Sequence, residues 1–322
     1  MNAVLYYSHL AIALLLQVFL FKTKTYYEDS RRENKRIKGS AVIISNHRSP
    51  LDGLVIALRY FYKRLHFIAE NFYKYRLKIV KFILSVAGGI FVDSEVKNLD
   101  FIEKSRKIAA KGRAIMIFPE GGFKHTYEPI KFSAGYIMLA IKMGVKIVPI
   151  VNDFNYGLFK RVRLMIGNGI DLSGYSNAEL TKAKLKEIND EIYNKFLALF
   201  YELKRKKAEK FLFKYEFVQP KPGDVVRVNA GSYCHYGVYL SANEVIQFGC
   251  AVNKAGENIV VNSVSLSEFC GAKIPEVRAI KKRFIRKLDD IERYARSCLG
   301  QGGYSLINNN CFDFANRVTL KI

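Results

Sequence analysis

The sequence predicts an α/β domain behind a hydrophobic anchor helix, followed by a smaller α+β domain. Three observations carry this. Apolar strand-like runs alternate with helix-like stretches from residue 41 to residue 167. The Pro/Gly break "QPKPGD", residues 219–224, then interrupts the pattern. Short strand-like runs and two helices follow it, and 322 residues are too many for one ordinary domain.

Taken in order, residues 3–21, "AVLYYSHLAIALLLQVFLF", are apolar and just long enough to cross a bilayer, although Ser8, His9 and Gln17 interrupt them. No basic residue precedes the run and no small-residue cleavage site follows, so a secretory signal is not expected. Lys22, Lys24, Arg31 and Arg32 come next, which by the positive-inside rule puts the following chain on the cytoplasmic side. Helical spacing does not separate a spanning helix from one lying in the interface. Residues 1–22 are the expected anchor.

"AVIIS" (41–45) reads as a buried strand, 51–62 as an apolar helix, "LHFIAE" (65–70) as a strand and 72–86 as a basic helix. "GGIFVD" (88–93) is strand-like, and residues 97–111 form a helix ending at Gly112. "AIMIFPEGG" (114–122) is a strand meeting a turn, and a helix over 133–143 ends at Gly144. "VKIVPIV" (145–151) and "RVRLMIG" (161–167) are two more strands.

Ser176 and Glu179 form a capping box for a long helix with Leu180, Leu185, Ile188, Ile192, Phe196 and Leu199 on one stripe. That helix runs into "KRKKAEK" (204–210), either a solvated helix end or a contact with anionic headgroups. The domain boundary is expected between about 205 and 220, giving domains over 23–210 and 216–322. Beyond it, "DVVRV" (224–228), "HYGVYL" (235–240), "EVIQF" (244–248) and "NIVV" (258–261) read as strands. A helix over 288–299 ends at Gly300, and a final helix starts near Asn310.

The formal charge is +23, unevenly spread. Residues 216–322 hold 14 Lys/Arg against 10 Asp/Glu, and the preceding residues 38 against 19. Such a field suits an anionic membrane surface or an acidic carrier protein. No zinc-finger spacing, DNA-reading motif or tryptophan accompanies it, so nucleic acid is not the expected partner. The five cysteines, Cys234, Cys250, Cys270, Cys298 and Cys311, are odd in number and lack a C-x-x-C pair. Neither a disulfide framework nor a metal site is indicated, and a reducing compartment is expected.

Chemistry concentrates in two places. In "AVIISNHRSPLD" (41–52) a buried strand opens into Asn46, His47, Arg48 and Asp52, with Pro50 stopping any helix before the turn. An imidazole accepts a hydroxyl proton when its other nitrogen is held and its positive charge offset, and a carboxylate five residues on can do both across a turn. The alternative is a chance spacing.

Four further blocks follow: "GGIFVD", "FPEGG" (118–122), "KFSAG" (131–135) and "VKIVPI" (145–150). With His47 and Asp52, residues 38–170 resemble the glycerolipid acyltransferase family, whose members include lysophosphatidic acid acyltransferases. The resemblance implies that His47 deprotonates an acceptor hydroxyl, which attacks an acyl thioester, while Asp52 orients and charge-balances His47. It implies substrate-binding roles for Asn46, Ser49, Asp93, Phe118, Pro119, Glu120, Gly121, Gly122 and Lys131, with Pro149 shaping the acyl-donor side. Acyl-CoA or acyl carrier protein is then the co-substrate, no cofactor is expected, and membrane lipids are the partners at the cytoplasmic face of the inner (plasma) membrane.

Two departures concern the acceptor. Ser94 and Phe123 stand where the family carries arginines thought to hold a phosphate, a task suited to the bidentate guanidinium. Lys124, His125 and Lys131 supply only point charges, so a lysophospholipid with a substituted headgroup is expected to compete with lysophosphatidic acid.

In the second place, "YCHYGVYL" (233–240) puts His235 on an alternating strand, and "NNNCFDFANRV" (308–318) puts Cys311 after Asn310, a good N-cap, with Asp313 three positions on. A helix start lowers a thiol's pKa, so Cys311 is expected as a thiolate nucleophile with His235 as its base; a plain buried cysteine is the alternative. Cys234 faces the opposite side of the strand and is expected to be structural.

"PGDVVRV", "HYGVYL", "VIQFG", "SLSEF" and "ARSCLGQGGYSLINNNC" make residues 220–318 similar to the lecithin:retinol acyltransferase family, which has a permuted papain-like fold. The resemblance implies that Cys311 attacks a lipid ester or thioester and becomes acylated. Gln247 stands where the family often has a second histidine and can orient His235 by a hydrogen bond. Phe312 and Asp313 replace the family's acidic residue and histidine. The whole chain then reads as a bifunctional acyltransferase of phospholipid metabolism. A cysteine hydrolase or a non-catalytic lipid-binding module is the alternative for the second domain.

Overall fold

The structure is a computed structural model. It describes residues 22–29, 36–70, 90–92, 99–123, 126, 128–157, 160–175, 180–209, 211, 213–231, 233–249, 259–306 and 309–322. The expected anchor at 3–21, the basic helix at 72–86, the Ser176/Glu179 capping box, and Asp93, Ser94, Lys124, His125 and Cys250 lie outside these residues. No helix among the described residues is long and apolar enough to cross a membrane.

The chain divides into two compact units, Met1–Leu199 and Phe200–Ile322. The first is built on strands β1 (Lys24–Tyr27), β2 (Ala41–Ser45), β3 (Leu65–Glu70), β4 (Ile90–Val92), β5 (Ala114–Ile117), β6 (Lys146–Asn152) and β7 (Arg163–Ile166). They form one sheet in the order β1-β7-β6-β2-β5-β3-β4, parallel except for the β6–β7 pair. β2 is buried along its whole length because β5 and β6 flank it, which is why "AVIIS" reads as a continuous apolar run without alternation.

Helices α1 (Leu51–Arg59), α2 (Leu99–Ala110) and α3 (Gly135–Met143) cross between strands. α1 is shorter than the 51–62 expected, and it ends where Tyr60 leaves helical geometry. Gly144 adopts φ 63° at the end of α3, a conformation open to glycine. Helix α4 (Lys182–Ala208) closes the unit with Ile188, Ile192, Phe196 and Leu199 buried. Tyr136 donates to Asn189 Oδ1 at 2.9 Å, Asn189 Nδ2 to the Phe132 carbonyl at 2.7 Å, and Tyr193 to the Pro129 carbonyl at 2.8 Å. α4 thereby holds the loop over residues 129–132 in place.

The division between units falls inside α4, ahead of the 205–220 region expected. The helix itself ends at Ala208, ahead of the Pro/Gly break at 219–224. Phe200, Leu203 and Ala208 are buried, and the Tyr201 ring lies 4.2 Å beneath the Arg317 guanidinium of the second unit.

The second unit has strands β8 (Lys214–Glu216), β9 (Val225–Asn229), β10 (Cys234–Ser241), β11 (Glu244–Phe248), β12 (Val261–Val264) and β13 (Glu276–Ala279). They form an antiparallel sheet in the order β12-β11-β10-β9-β13-β8. β12 begins three residues later than the 258–261 run expected, because Phe248 at the end of β11 pairs with Val261. Helices α5 (Leu266–Cys270), α6 (Leu288–Ser297) and α7 (Cys311–Thr319) complete it, with α7 packed on β10 and β11. Its core includes Val226, Val228, Val245, Phe269 and Val277.

Candidate active sites

The central parallel strands β6, β2 and β5 end at the same edge of the first sheet, the edge where α/β sheets commonly place ligands. Each end delivers part of one cluster. β2 leads into Asn46 and His47, β5 into Phe118, Pro119 and Glu120, and β6 closes with Asn152 before Tyr156.

His47 Nδ1 lies 3.0 Å from Asp52 Oδ2. Asp52 sits in the first turn of α1 and is fully buried. The same Oδ2 accepts from the backbone N–H of Arg48 at 2.7 Å and of Ser49 at 2.8 Å. Oδ1 accepts from Asn152 Nδ2 at 3.3 Å and from the Tyr156 hydroxyl. Five polar partners thus surround one carboxylate, as burying such a group requires. Asn152 Nδ2 also donates to the Tyr156 oxygen at 2.6 Å, and burial raises the Tyr156 hydroxyl well above the usual range, so it remains a donor.

With Nδ1 committed to Asp52, Nε2 is the imidazole nitrogen left for a substrate. The His47 side chain is 15% exposed, and its ring stacks on Phe118 at 3.7 Å with Phe123 tilted 4.4 Å away. Glu120 is buried, its Oε1 accepting from the His47 backbone N–H at 3.3 Å and its carboxyl also taking a backbone hydrogen bond from Ile130. Burial pushes that carboxyl up to about 7. Gly121 and Gly122 continue the turn at φ 68° and 107°, where a side chain would be strained.

The remaining expected residues are placed differently. Asn46 turns inward. Its Nδ2 donates to the Asn152 carbonyl at 3.0 Å and its Oδ1 accepts from the Asn152 N–H at 2.9 Å, so it clasps the ends of β2 and β6. Ser49 Oγ accepts from the Leu51 N–H at 3.2 Å. Pro119 is buried, and its carbonyl accepts from the Ser133 N–H at 2.9 Å. Lys131 is exposed and pairs with Asp190 at 3.5 Å, and Pro149 lies within β6 opposite Ile44. Asn152 and Tyr156 were not anticipated. Their only sequence signal is their position at and just past the end of a buried strand, and the carboxylate they bind is about a hundred residues away.

In the second unit, Cys311 is the first residue of α7. Asn310 caps the helix, accepting from Phe312 N at 2.9 Å and Asp313 N at 3.1 Å, while Asp313 Oδ2 accepts from the Asn310 N–H at 3.2 Å. The Cys311 sulfur takes backbone hydrogen bonds from Tyr236 and from the start of α7, and one from the Tyr304 hydroxyl. The expectation of a lowered thiol pKa is corrected here. Burial pushes the Cys311 thiol up, and the helix-start amides only offset part of that. Burial also holds the Tyr304 hydroxyl up at about 12, so it stays protonated.

His235 lies on β10 next to Tyr236, almost fully buried, with Nε2 2.7 Å from Gln247 Oε1. Burial lowers its pKa, which keeps the ring neutral, although the Gln247 bond works the other way. Gly237 faces the same side. A Cβ there would meet Val245 and Phe269 side-chain carbons at 2.6 and 2.8 Å, so the glycine lets the Phe269 ring sit 5.3 Å from His235. Cys234, Cys270 and Cys298 carry free thiols, as Cys311 does.

Residues 26–153 match the family model described as Acyltransferase, and residues 218–320 the one described as Lecithin retinol acyltransferase. A 1-acyl-sn-glycerol-3-phosphate acyltransferase of Borreliella burgdorferi is 28% identical over 161 residues, 49% of this chain and 63% of that protein. The chain thus spans less than two thirds of this relative's length. The solved 1-acyl-sn-glycerophosphate acyltransferase PlsC of Thermotoga maritima is 17% identical with a TM-score of 0.43, over 64% of this chain and 79% of its own. This chain thus carries a stretch similar to the acyltransferase family at residues 26–153 and one similar to the lecithin retinol acyltransferase family at residues 218–320.

Proposed function

We propose that the chain is a membrane-associated, bifunctional acyltransferase of phospholipid metabolism. The observation that carries the first activity is the His47–Asp52 pair at the meeting of three strand ends. His47 Nε2 takes the proton of an acceptor hydroxyl as its oxygen attacks the carbonyl of acyl-CoA or acyl carrier protein. The C–S bond breaks, and the imidazolium returns the proton to the departing thiolate. Asp52 holds the ring and offsets the passing positive charge. Glu120 braces the His47 backbone, and the Phe118 and Phe123 rings line the imidazole. Phe123 gives no bidentate phosphate contact, which favours a lysophospholipid with a substituted headgroup over lysophosphatidic acid.

In the second domain, the Cys311 thiol is neutral at rest, so His235 takes its proton during attack on a lipid ester or thioester. The leaving group departs with that proton; a hydroxyl, amine or water then attacks the thioester, its proton passing through His235 to the departing Cys311 sulfur as the C–S bond breaks. The basic first domain and the apolar residues 3–21 support action at the cytoplasmic face of a membrane.

Lysophospholipid acylation by the full chain, in a Cys311→Ala background, tests the first activity. His47→Ala should abolish it, and Asp52→Asn should cost roughly a thousandfold or more by misorienting the ring. A lysophospholipid with a substituted headgroup should be acylated at least as well as lysophosphatidic acid. Retained activity in His47→Ala refutes the assignment, and a clear preference for lysophosphatidic acid refutes the acceptor reading.

A further inference from the structure

His235 is not held by Gln247 alone. The Gln247 side-chain Nε2 donates to Asn262 Oδ1 at 2.9 Å, and Asn262 Nδ2 faces the carbonyls of Gly249 at 3.4 Å and Val260 at 3.5 Å. Gln247 and Asn262 are direct partners in the β11–β12 ladder, so their side chains are cross-strand neighbours.

The direction of this chain is forced from its far end. A backbone carbonyl only accepts, so the NH2 of Asn262 must point at the two carbonyls and its oxygen at Gln247. Gln247 must then present its own NH2 to Asn262, which leaves its oxygen for His235. An amide oxygen only accepts, so the His235 proton must sit on Nε2. The flipped form of either amide would set oxygen against oxygen.

We propose that Asn262 is a positioning residue of the thiol centre, which fixes the Gln247 amide so that His235 carries its proton on Nε2 and keeps Nδ1 bare as the base for Cys311. The second domain therefore orients its histidine with two neutral amides anchored on backbone carbonyls. A glutamine alone cannot do this, because its two ends are nearly the same shape and either can face a histidine. Asn262 supplies the asymmetry. The proposal rests on the reading of Cys311 and His235 as a reactive pair, but the tautomer of His235 is measurable without any turnover.

The test uses the full chain with 15N-labelled histidine at alkaline pH, the His235 signals being assigned by their loss in His235→Gln. The wild type should show a protonated Nε2 and an unprotonated Nδ1. Asn262→Ala should give a mixture of the two tautomers and slow acyl-adduct formation on Cys311 roughly tenfold, the scale of one lost orienting hydrogen bond. Asn262 is only half-buried on β12, so the variant is expected to fold; an unchanged thermal melt checks this, and Asn262→Ser is the milder substitute.

Gln247→Glu supplies the rescue. Both carboxylate oxygens accept, so His235 keeps its proton on Nε2 without an orienting partner, and removing Asn262, whose oxygen then opposes the carboxylate, should not slow the rate in that background. A single Nε2–H tautomer that persists in Asn262→Ala overturns the proposal, as does an equal loss of rate in both backgrounds. A wild type that never acylates Cys311 refutes the reading of the pair, and the spectrum still decides the role of Asn262.

Discussion

At the scale of single residues, burial decides the chemistry more than sequence neighbours do. Glu120 shows this. Burial pushes its carboxyl from the usual 4.5 up to about 7. The folded domain therefore holds this proton more tightly than the unfolded chain does. Stability from the protonated form is complete below 4.5 and is lost as pH rises through about 7. Thermal unfolding at pH values on either side of that window should show the wild type losing stability toward the alkaline side. Glu120→Gln should lose visibly less, and an identical pH dependence in both proteins would show that Glu120 is not the titrating group. Cys311 teaches the same lesson. Its helix-start position was legible in "NNNC", but the burial that outweighs the helix start was not. The contact between His47 and Asp52 was legible because five residues and a turn connect them. Asn152, Tyr156 and Asn262 were not, since each reaches its partner through sheet register or packing rather than through nearby sequence.

At the scale of elements, the apolar strands of the first unit were readable and the polar edges were not. β2, β3, β5 and β6 are rich in Val, Ile, Phe and Met and stand close to the runs expected. β1, "KTYY", and β8, "KYE", have no apolar alternation; they are edge strands held by one neighbour each. β13, "EVRA", was hidden by Arg278. This arginine is buried, its guanidinium donating to Asn316 Oδ1 at 2.7 Å and Thr319 Oγ1 at 2.6 Å, so it ties β13 to α7. Burial lowers its pKa to about 10, still charged at neutral pH. Arg278→Ala strands both acceptors and leaves a cavity, which should cost about 2–4 kcal/mol in chemical denaturation of the second unit. A loss under about 0.5 kcal/mol, the range of ordinary surface substitutions, would mean that the tie carries no weight.

At the scale of the whole molecule, the proposed function puts two candidate centres of different chemistry on one chain. On that proposal, one would use an imidazole–carboxylate pair at the ends of parallel strands, the other a thiol and an imidazole braced by amides in an antiparallel sheet. Among the described residues they share no side chain, so they should fail separately. Tethering would let both draw on one lipid pool at high effective concentration. The most direct measurement is acyl transfer from a labelled acyl thioester to a lysophospholipid by the full chain, comparing His47→Ala with Cys311→Ala side by side. Product should disappear in His47→Ala and persist in Cys311→Ala. Persistence in His47→Ala, or disappearance in Cys311→Ala, would contradict a His47-based acyltransferase centre that works independently of the thiol.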